Sequence, residues 1–201
     1  MVYRLIDIAW QFIKSKTDIT INLVSMKVII LLSLLLIISS CGPVIYFEQP
    51  QPADTKLENI FPEALQGLYN DDANNVPLTI NELTYEYGDS SSFFGISKSL
   101  LSDSLILIKY QAYYLLNGLC EKGWYVMAIS IKNNDTLVVR FTDGEDLGEV
   151  EKLKKITSVK EIFDSNGNID YFLINPTQKQ FESMLQEHMF SGEMIFTREK
   201  K

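Results

Sequence analysis

A short apolar segment near the start of the chain places the tightest limit on how this sequence can fold. Residues 28–38 read VIILLSLLLII, eleven positions that are apolar except for Ser33, and Lys27 comes directly before them. A helix of that length spans roughly 16 Å, about half the hydrocarbon thickness of a bilayer. A positive residue followed by such a run is typical of a secretory signal peptide. We therefore predict that residues 26–40 are an export signal and that the folded body lies after them.

The apolar run ends in a pattern that resembles a known class of protein. An aliphatic residue, two small residues and a cysteine stand there, namely Ile38, Ser39, Ser40 and Cys41. They resemble, position by position, the lipobox of bacterial lipoproteins. The resemblance implies cleavage before Cys41, attachment of diacylglycerol to its thiol and acylation of the new amino terminus, which together exceed what stable anchoring needs. The alternative is a transmembrane anchor, lengthened by Leu23 and Val24, that carries a cysteine by chance.

The residues on either side of this signal lead to two further expectations. Position 42 is Gly, whereas Asp there marks retention in the inner membrane in well-studied lipoproteins, so the resemblance implies the outer membrane. No acidic run follows Cys41, which favours a body that faces the periplasm. Lipoprotein signals begin at their own methionine, so we expect translation to start at Met26 and residues 1–25 to be an N-terminal overrun.

The segment after the cysteine is rich in proline. Pro43, Pro50 and Pro52 lie within ten residues of one another, and proline prevents helix and favours extended backbone. We therefore predict an extended tether over residues 41–60 and one folded domain over residues 61–201. A chain of 201 residues suits a single domain of this kind, and 46% apolar residues are too many for a disordered chain.

Short apolar stretches separated by turn residues fill most of the predicted domain. Along residues 124–131 both faces carry apolar side chains, which predicts a strand that is covered on both sides. This spacing indicates a mainly β fold, an antiparallel up-and-down barrel or a sandwich. The predicted strands are residues 76–80, 83–87, 105–110, 112–116, 124–131, 136–142, 156–163, 169–174 and 194–197.

Two short helices interrupt the predicted strands. The first covers residues 143–155, where apolar side chains recur on one side. The second starts at Thr177, which with Gln180 forms a capping-box pattern, and its apolar stripe runs to Met189. The stripe is typical of packing against a core and not of a cofactor site.

The start of the predicted domain resembles the opening of a lipocalin barrel. Residues 61–67 predict a helical turn that ends in Gly67, and Tyr69 follows two positions later. Lipocalins open with a helical turn and a Gly-x-Trp motif that plugs one end of an eight-stranded barrel. The resemblance covers about ten residues, and Tyr69 stands where the family has Trp. The alternative is an ordinary glycine that ends a helical turn.

The sequence offers little for catalysis. His188 is the one histidine and falls on the apolar side of the predicted second helix, which favours packing over acid–base chemistry. Cys120 falls in a predicted turn, and residues 164–170 lack the glycine and glutamate of a calcium loop. We expect no enzyme, no metal and no cofactor. The formal charge of -8 argues against nucleic acid as a partner.

Aromatic residues in the middle of the domain are the candidate ligand contacts. The cluster includes Phe93 and Phe94, and the residues proposed to touch a ligand are Tyr110, Tyr113, Tyr114, Trp124 and Tyr125. In a barrel such side chains could line a cavity for a small apolar or amphipathic molecule. The resulting hypothesis is a lipid-anchored, lipocalin-like binding module of the cell envelope. The alternative is an envelope protein-interaction factor, such as an assembly accessory, inhibitor or immunity protein, with a packed core.

Overall fold

The computed structural model describes residues 43–88 and 97–199. The predicted start at Met26, the signal peptide, Cys41, Phe93 and Phe94 lie outside the described residues. Within the described part the chain forms thirteen strands and two helices. The strands are β1 (Val44–Phe47), β2 (Leu57–Glu58), β3 (Gly67–Asp71), β4 (Pro77–Ile80), β5 (Thr84–Tyr87), β6 (Ser97–Leu100), β7 (Leu105–Tyr110), β8 (Tyr113–Cys120), β9 (Gly123–Lys132), β10 (Thr136–Phe141), β11 (Val159–Phe163), β12 (Ile169–Ile174) and β13 (Gly192–Arg198); the helices are α1 (Leu147–Ile156) and α2 (Gln178–Gln186).

All thirteen strands belong to one curled sheet that forms a half-barrel, which confirms the prediction of a mainly β fold with two short helices. From β9 the sheet continues in one direction through β8, β7 and β2. In the other direction it continues through β10, β13, β3, β4, β5 and β6. A branch of β1, β12 and β11 also starts at β9. Neighbouring strands are antiparallel except for β1 and β12, which run parallel.

The long strand β9 is covered on both faces, as its sequence predicts. Met127 and Ile129 pack in an apolar cluster inside the curl, which we call the barrel-side cluster. Val126 and Ala128 point to the opposite face and pack in a second cluster, the helix-side cluster. The barrel-side cluster includes Phe61, Leu65, Tyr69, Ile80, Leu137 and Val139. The helix-side cluster includes Phe47, Leu115, Val150, Leu153, Phe181 and Met184.

Both helices contribute residues to the helix-side cluster. Each begins after a residue whose side chain caps the helix with a hydrogen bond. The Asp146 carboxylate caps α1 by accepting from the Gly148 N–H at 2.8 Å. Before α2, the Thr177 hydroxyl accepts from the Gln180 N–H while the Gln180 side chain accepts from the Thr177 N–H, so the capping box is present. None of the helices among the described residues is long and apolar enough to cross a membrane.

Part of the stretch that the sequence predicts to be an extended tether, residues 41–60, forms a strand of the sheet. Residues 44–47 form β1, which pairs with β12 along its length and with β9 through Phe47 and Trp124. Ile45 and Phe47 are 3% and 0% exposed. The prolines flank this strand without interrupting it, so the apolar alternation of Ile45 and Phe47 decides the structure of these residues.

The structure also differs from the sequence predictions for His188 and Cys120. His188 follows α2, has a backbone φ of 56° and is exposed, so it does not lie on the apolar side of the helix. The helix ends at Gln186, before the apolar stripe reaches Met189. Cys120 is the last residue of β8 and not part of the turn, and its thiol donates to the Gly123 carbonyl at 3.2 Å.

Candidate functional site

The concave side of the half-barrel contains an apolar cavity of about 200 Å³. Thirteen described residues line it, and none of them is charged. Ten have apolar side chains, among them Phe61, Ile80, Met127, Ile129, Val139 and Met194. Hydroxyl groups are present on the other three, which are Tyr85, Tyr87 and Ser97. The cavity is therefore suited to an apolar molecule.

Strand pairing brings the lining residues together from distant parts of the chain. Val139 on β10 lies opposite Ile129 on β9 and also opposite Met194 on β13. On the other side of the curl, Leu78 on β4 lies opposite Tyr87 on β5. Alternate residues of a strand point to the same face, so seven of the described strands, β4, β5, β6, β8, β9, β10 and β13, each contribute one or two side chains to the cavity. The wall thus depends on the register of the whole curled sheet.

A helical turn closes one end of the barrel-side cluster. The Gln66 N–H bonds to the Pro62 carbonyl, and Leu65 on this turn is fully buried. The Tyr69 hydroxyl donates to the Leu65 carbonyl at 3.0 Å, which ties β3 to the turn. Arg198 at the end of β13 lies with its guanidinium carbon 4.9 Å from the Tyr69 ring centroid and donates to the Tyr69 hydroxyl. These contacts join the helical turn, β3 and β13 at this end of the half-barrel.

One of the two tyrosine hydroxyls of the cavity wall, that of Tyr87, has a protein partner. Tyr87 donates to the Asp71 carboxylate at 3.0 Å. Burial raises the pKa of Tyr87, and the bond to Asp71 raises it further. Tyr125 lies next to this wall, and burial together with the neighbouring Tyr85 raises its pKa. The Tyr87 hydroxyl therefore stays protonated at neutral pH and points to Asp71.

Asp71 is a buried carboxylate directly behind the cavity wall and is only 2% exposed. Besides Tyr87 it accepts from the Ala73 N–H and from the Asn74 side chain, both at 2.9 Å. Burial acts to raise the pKa of Asp71, but the hydrogen bonds from Asn74, Ala73 and Tyr87 outweigh it and lower the pKa below its ordinary value. Asp71 is therefore ionised at neutral pH.

The five aromatic residues proposed from sequence do not form one site, and none of them lines the cavity. Tyr110, Tyr113 and Trp124 pack against the helix-side cluster. Tyr114 packs against the barrel-side cluster, with the Lys109 ammonium 3.8 Å from its ring centroid. Tyr125 lies next to the wall residue Tyr85, which contributes to raising its pKa. Alternation explains the separation, because successive residues of β8 and β9 point to opposite faces.

The residues that line the cavity show an apolar alternation in the sequence, which a search for clustered aromatic residues does not detect. Leu137 and Val139 alternate along β10, and Met127 and Ile129 alternate along β9. This period of two marks one face of each strand as apolar. A count of alternating aliphatic residues, and not of tyrosines, would have selected these residues as candidates for a buried face, but not the strands that they meet.

The described residues offer no arrangement for metal chemistry, since no three of their His, Cys, Asp and Glu side chains lie close enough to hold an ion. Fold and cavity together define an antiparallel half-barrel with helices packed on one face and an apolar cavity on the other. Comparisons with protein-family models, with curated proteins and with solved structures find no match.

Proposed function

We propose that this protein is a non-catalytic, lipocalin-like binding module, anchored in the bacterial envelope by lipid on Cys41, that holds a small apolar molecule. The observation that carries the proposal is the uncharged cavity of about 200 Å³ inside the half-barrel. A cavity of roughly 150 Å³ lined by aliphatic and aromatic side chains is enough to bind benzene. The ligand is therefore expected to have on the order of ten non-hydrogen atoms.

The closed end of the half-barrel supports the lipocalin-like part of the proposal. Gly67 and Tyr69 follow a helical turn and bring a buried aromatic ring against it, in the place where the resemblance expects a Gly-x-Trp plug. The alternative of an interaction factor with a packed core has less support, because the interior retains a cavity.

The anchor is tested by replacing each of the two cysteines in turn. Cys41→Ala is expected to abolish incorporation of labelled fatty acid, because the thioether that carries diacylglycerol can no longer form. Cys120→Ala is the matched control, since it removes the only other thiol and should leave labelling unchanged. Labelled fatty acid in the Cys41→Ala protein would rule out the proposed anchor.

The cavity is tested by filling it. Met127 lines the cavity on β9, so Met127→Trp is expected to weaken binding of 1-octanol at least about tenfold by occupying the space the ligand needs. Calorimetric titration measures the affinity, with the protein held in an amphipathic polymer so that no detergent competes. The control is Leu119→Trp on the same hairpin, where the side chain is 49% exposed. Wild-type affinity in the Met127→Trp protein, or no octanol binding by the wild type, contradicts the proposal.

A further inference from the structure

The charge distribution around the cavity limits what chemical class of ligand it can hold. None of the thirteen described residues that line the cavity is charged. Three of the four cations on the strands that form its wall have partners elsewhere, and the fourth, Lys132 at the end of β9, is exposed. Lys98 lies 3.5 Å from Glu86, the Arg140 guanidinium bonds to Glu193, and Arg198 is held by Tyr69 and the Ala64 carbonyl. An acidic head group inside the cavity would thus find no counter-charge among these residues.

Hydrogen-bond donors are equally limited. The Tyr87 hydroxyl donates to Asp71, and Tyr85 carries the second hydroxyl of the wall. Ser97, on the exposed strand β6, is the third hydroxyl of the wall. A carboxylate placed among the other lining residues would lose its hydration without gaining a full set of donors, which is unfavourable.

A buried negative charge, the Asp71 carboxylate, is bonded to the wall residue Tyr87. Asp71 is bonded to the Tyr87 hydroxyl at 3.0 Å and is itself only 2% exposed, although the next residues in the chain, 72–75, are exposed. An anion in the cavity would be repelled by this carboxylate in addition to losing its water. Residues 41–201 also carry 24 acidic and 14 basic side chains, so the net negative charge of this part of the chain disfavours the binding of anions.

We propose that the cavity selects uncharged ligands, such as a neutral alkyl ester, alcohol or hydrocarbon, and rejects the corresponding carboxylates. This inference rests on the proposed binding function and adds the class of ligand to it. It separates the protein from binders of free fatty acids, which need a cation or several free donors for the acid group.

The test compares two probes that differ in charge and little in size. Methyl octanoate and octanoate are titrated into the purified full-length protein, held in an amphipathic polymer at neutral pH, and the affinity is measured by calorimetry. The ester is expected to bind at least about tenfold more tightly than the carboxylate. A second variant, Ser97→Lys, places a cation on the wall and is expected to strengthen octanoate binding relative to ester binding. Ser104→Lys, an exposed position outside the cavity wall, is its control.

The possible outcomes separate this inference from the function it extends. Tighter binding of the ester together with a gain for octanoate in Ser97→Lys supports the inference. Equal or tighter binding of octanoate by the wild type overturns it and leaves the binding function standing, because a ligand is still held. Failure of both probes to bind overturns the inference and the proposed function together.

Discussion

Replacing Phe47 with Ala is expected to lower the free energy of unfolding by about 4 kcal/mol, as for other fully buried phenylalanines. Phe47 is 0% exposed and belongs to the helix-side cluster. Its ring centroid lies 6.3 Å from that of Phe181 on α2, in an edge-to-face arrangement. β1 also joins β12 to β9, so the cavity left by the ring would lie where three strands and a helix meet.

The measurement is urea unfolding followed by circular dichroism, with Val44→Ala as the matched control on the same strand. Val44 is 41% exposed, so its truncation should cost less than about 1 kcal/mol. If Phe47→Ala costs no more than Val44→Ala, β1 is not part of the core and the folded body begins later in the chain. The comparison thus decides between an integral strand and a tether over residues 44–47.

The strand and helix content of this protein follows from signals that are local in the sequence. β9 shows this most clearly, because the two apolar faces of residues 124–131 predict a strand covered on both sides, and Met127 and Val126 do pack in different clusters. The capping box at Thr177 likewise depends only on residues within three positions. An apolar repeat of two residues, or hydrogen bonds between residues three positions apart, is enough to predict such features from the sequence.

The cavity and the place of β1 could not be predicted in the same way, because both depend on contacts between distant strands. Val139 meets Met194 only because β13 returns to pair with β10. Residues 44–47 form a short segment close to prolines and give no clear strand signal on their own. They form a strand by pairing with β12, which lies more than a hundred residues later in the chain. Strand pairing at such separation is fixed by the whole fold and leaves no local pattern.

Replacing Asp71 with Ala is expected to cost about 3 kcal/mol of unfolding free energy at neutral pH. The carboxylate accepts from Ala73, Asn74 and Tyr87, and its removal would leave the half-buried Tyr87 hydroxyl and the Ala73 N–H without their acceptor. Hydrogen bonds to a charged group contribute roughly 1.5 to 3 kcal/mol each, and unpaired buried donors add a desolvation cost. The neighbouring, exposed Asp72 provides a control with the same change of charge, since Asp72→Ala should cost less than about 0.5 kcal/mol.

The pH dependence of the stability difference is a second readout for this prediction. The lowered pKa of Asp71 determines the direction in which that difference changes with pH. A carboxyl group whose pKa is lower in the folded state stabilises the fold fully above the pKa of the unfolded chain, about 4, and loses that contribution as the pH falls through the folded value. Alanine does not titrate. The stability difference between wild type and Asp71→Ala should therefore stay constant from about pH 7 to pH 5 and shrink below about pH 4. A difference that grows on acidification would mean that burial, and not the three hydrogen bonds, controls this carboxylate, and the negative charge behind the cavity wall would then be absent at mildly acidic pH.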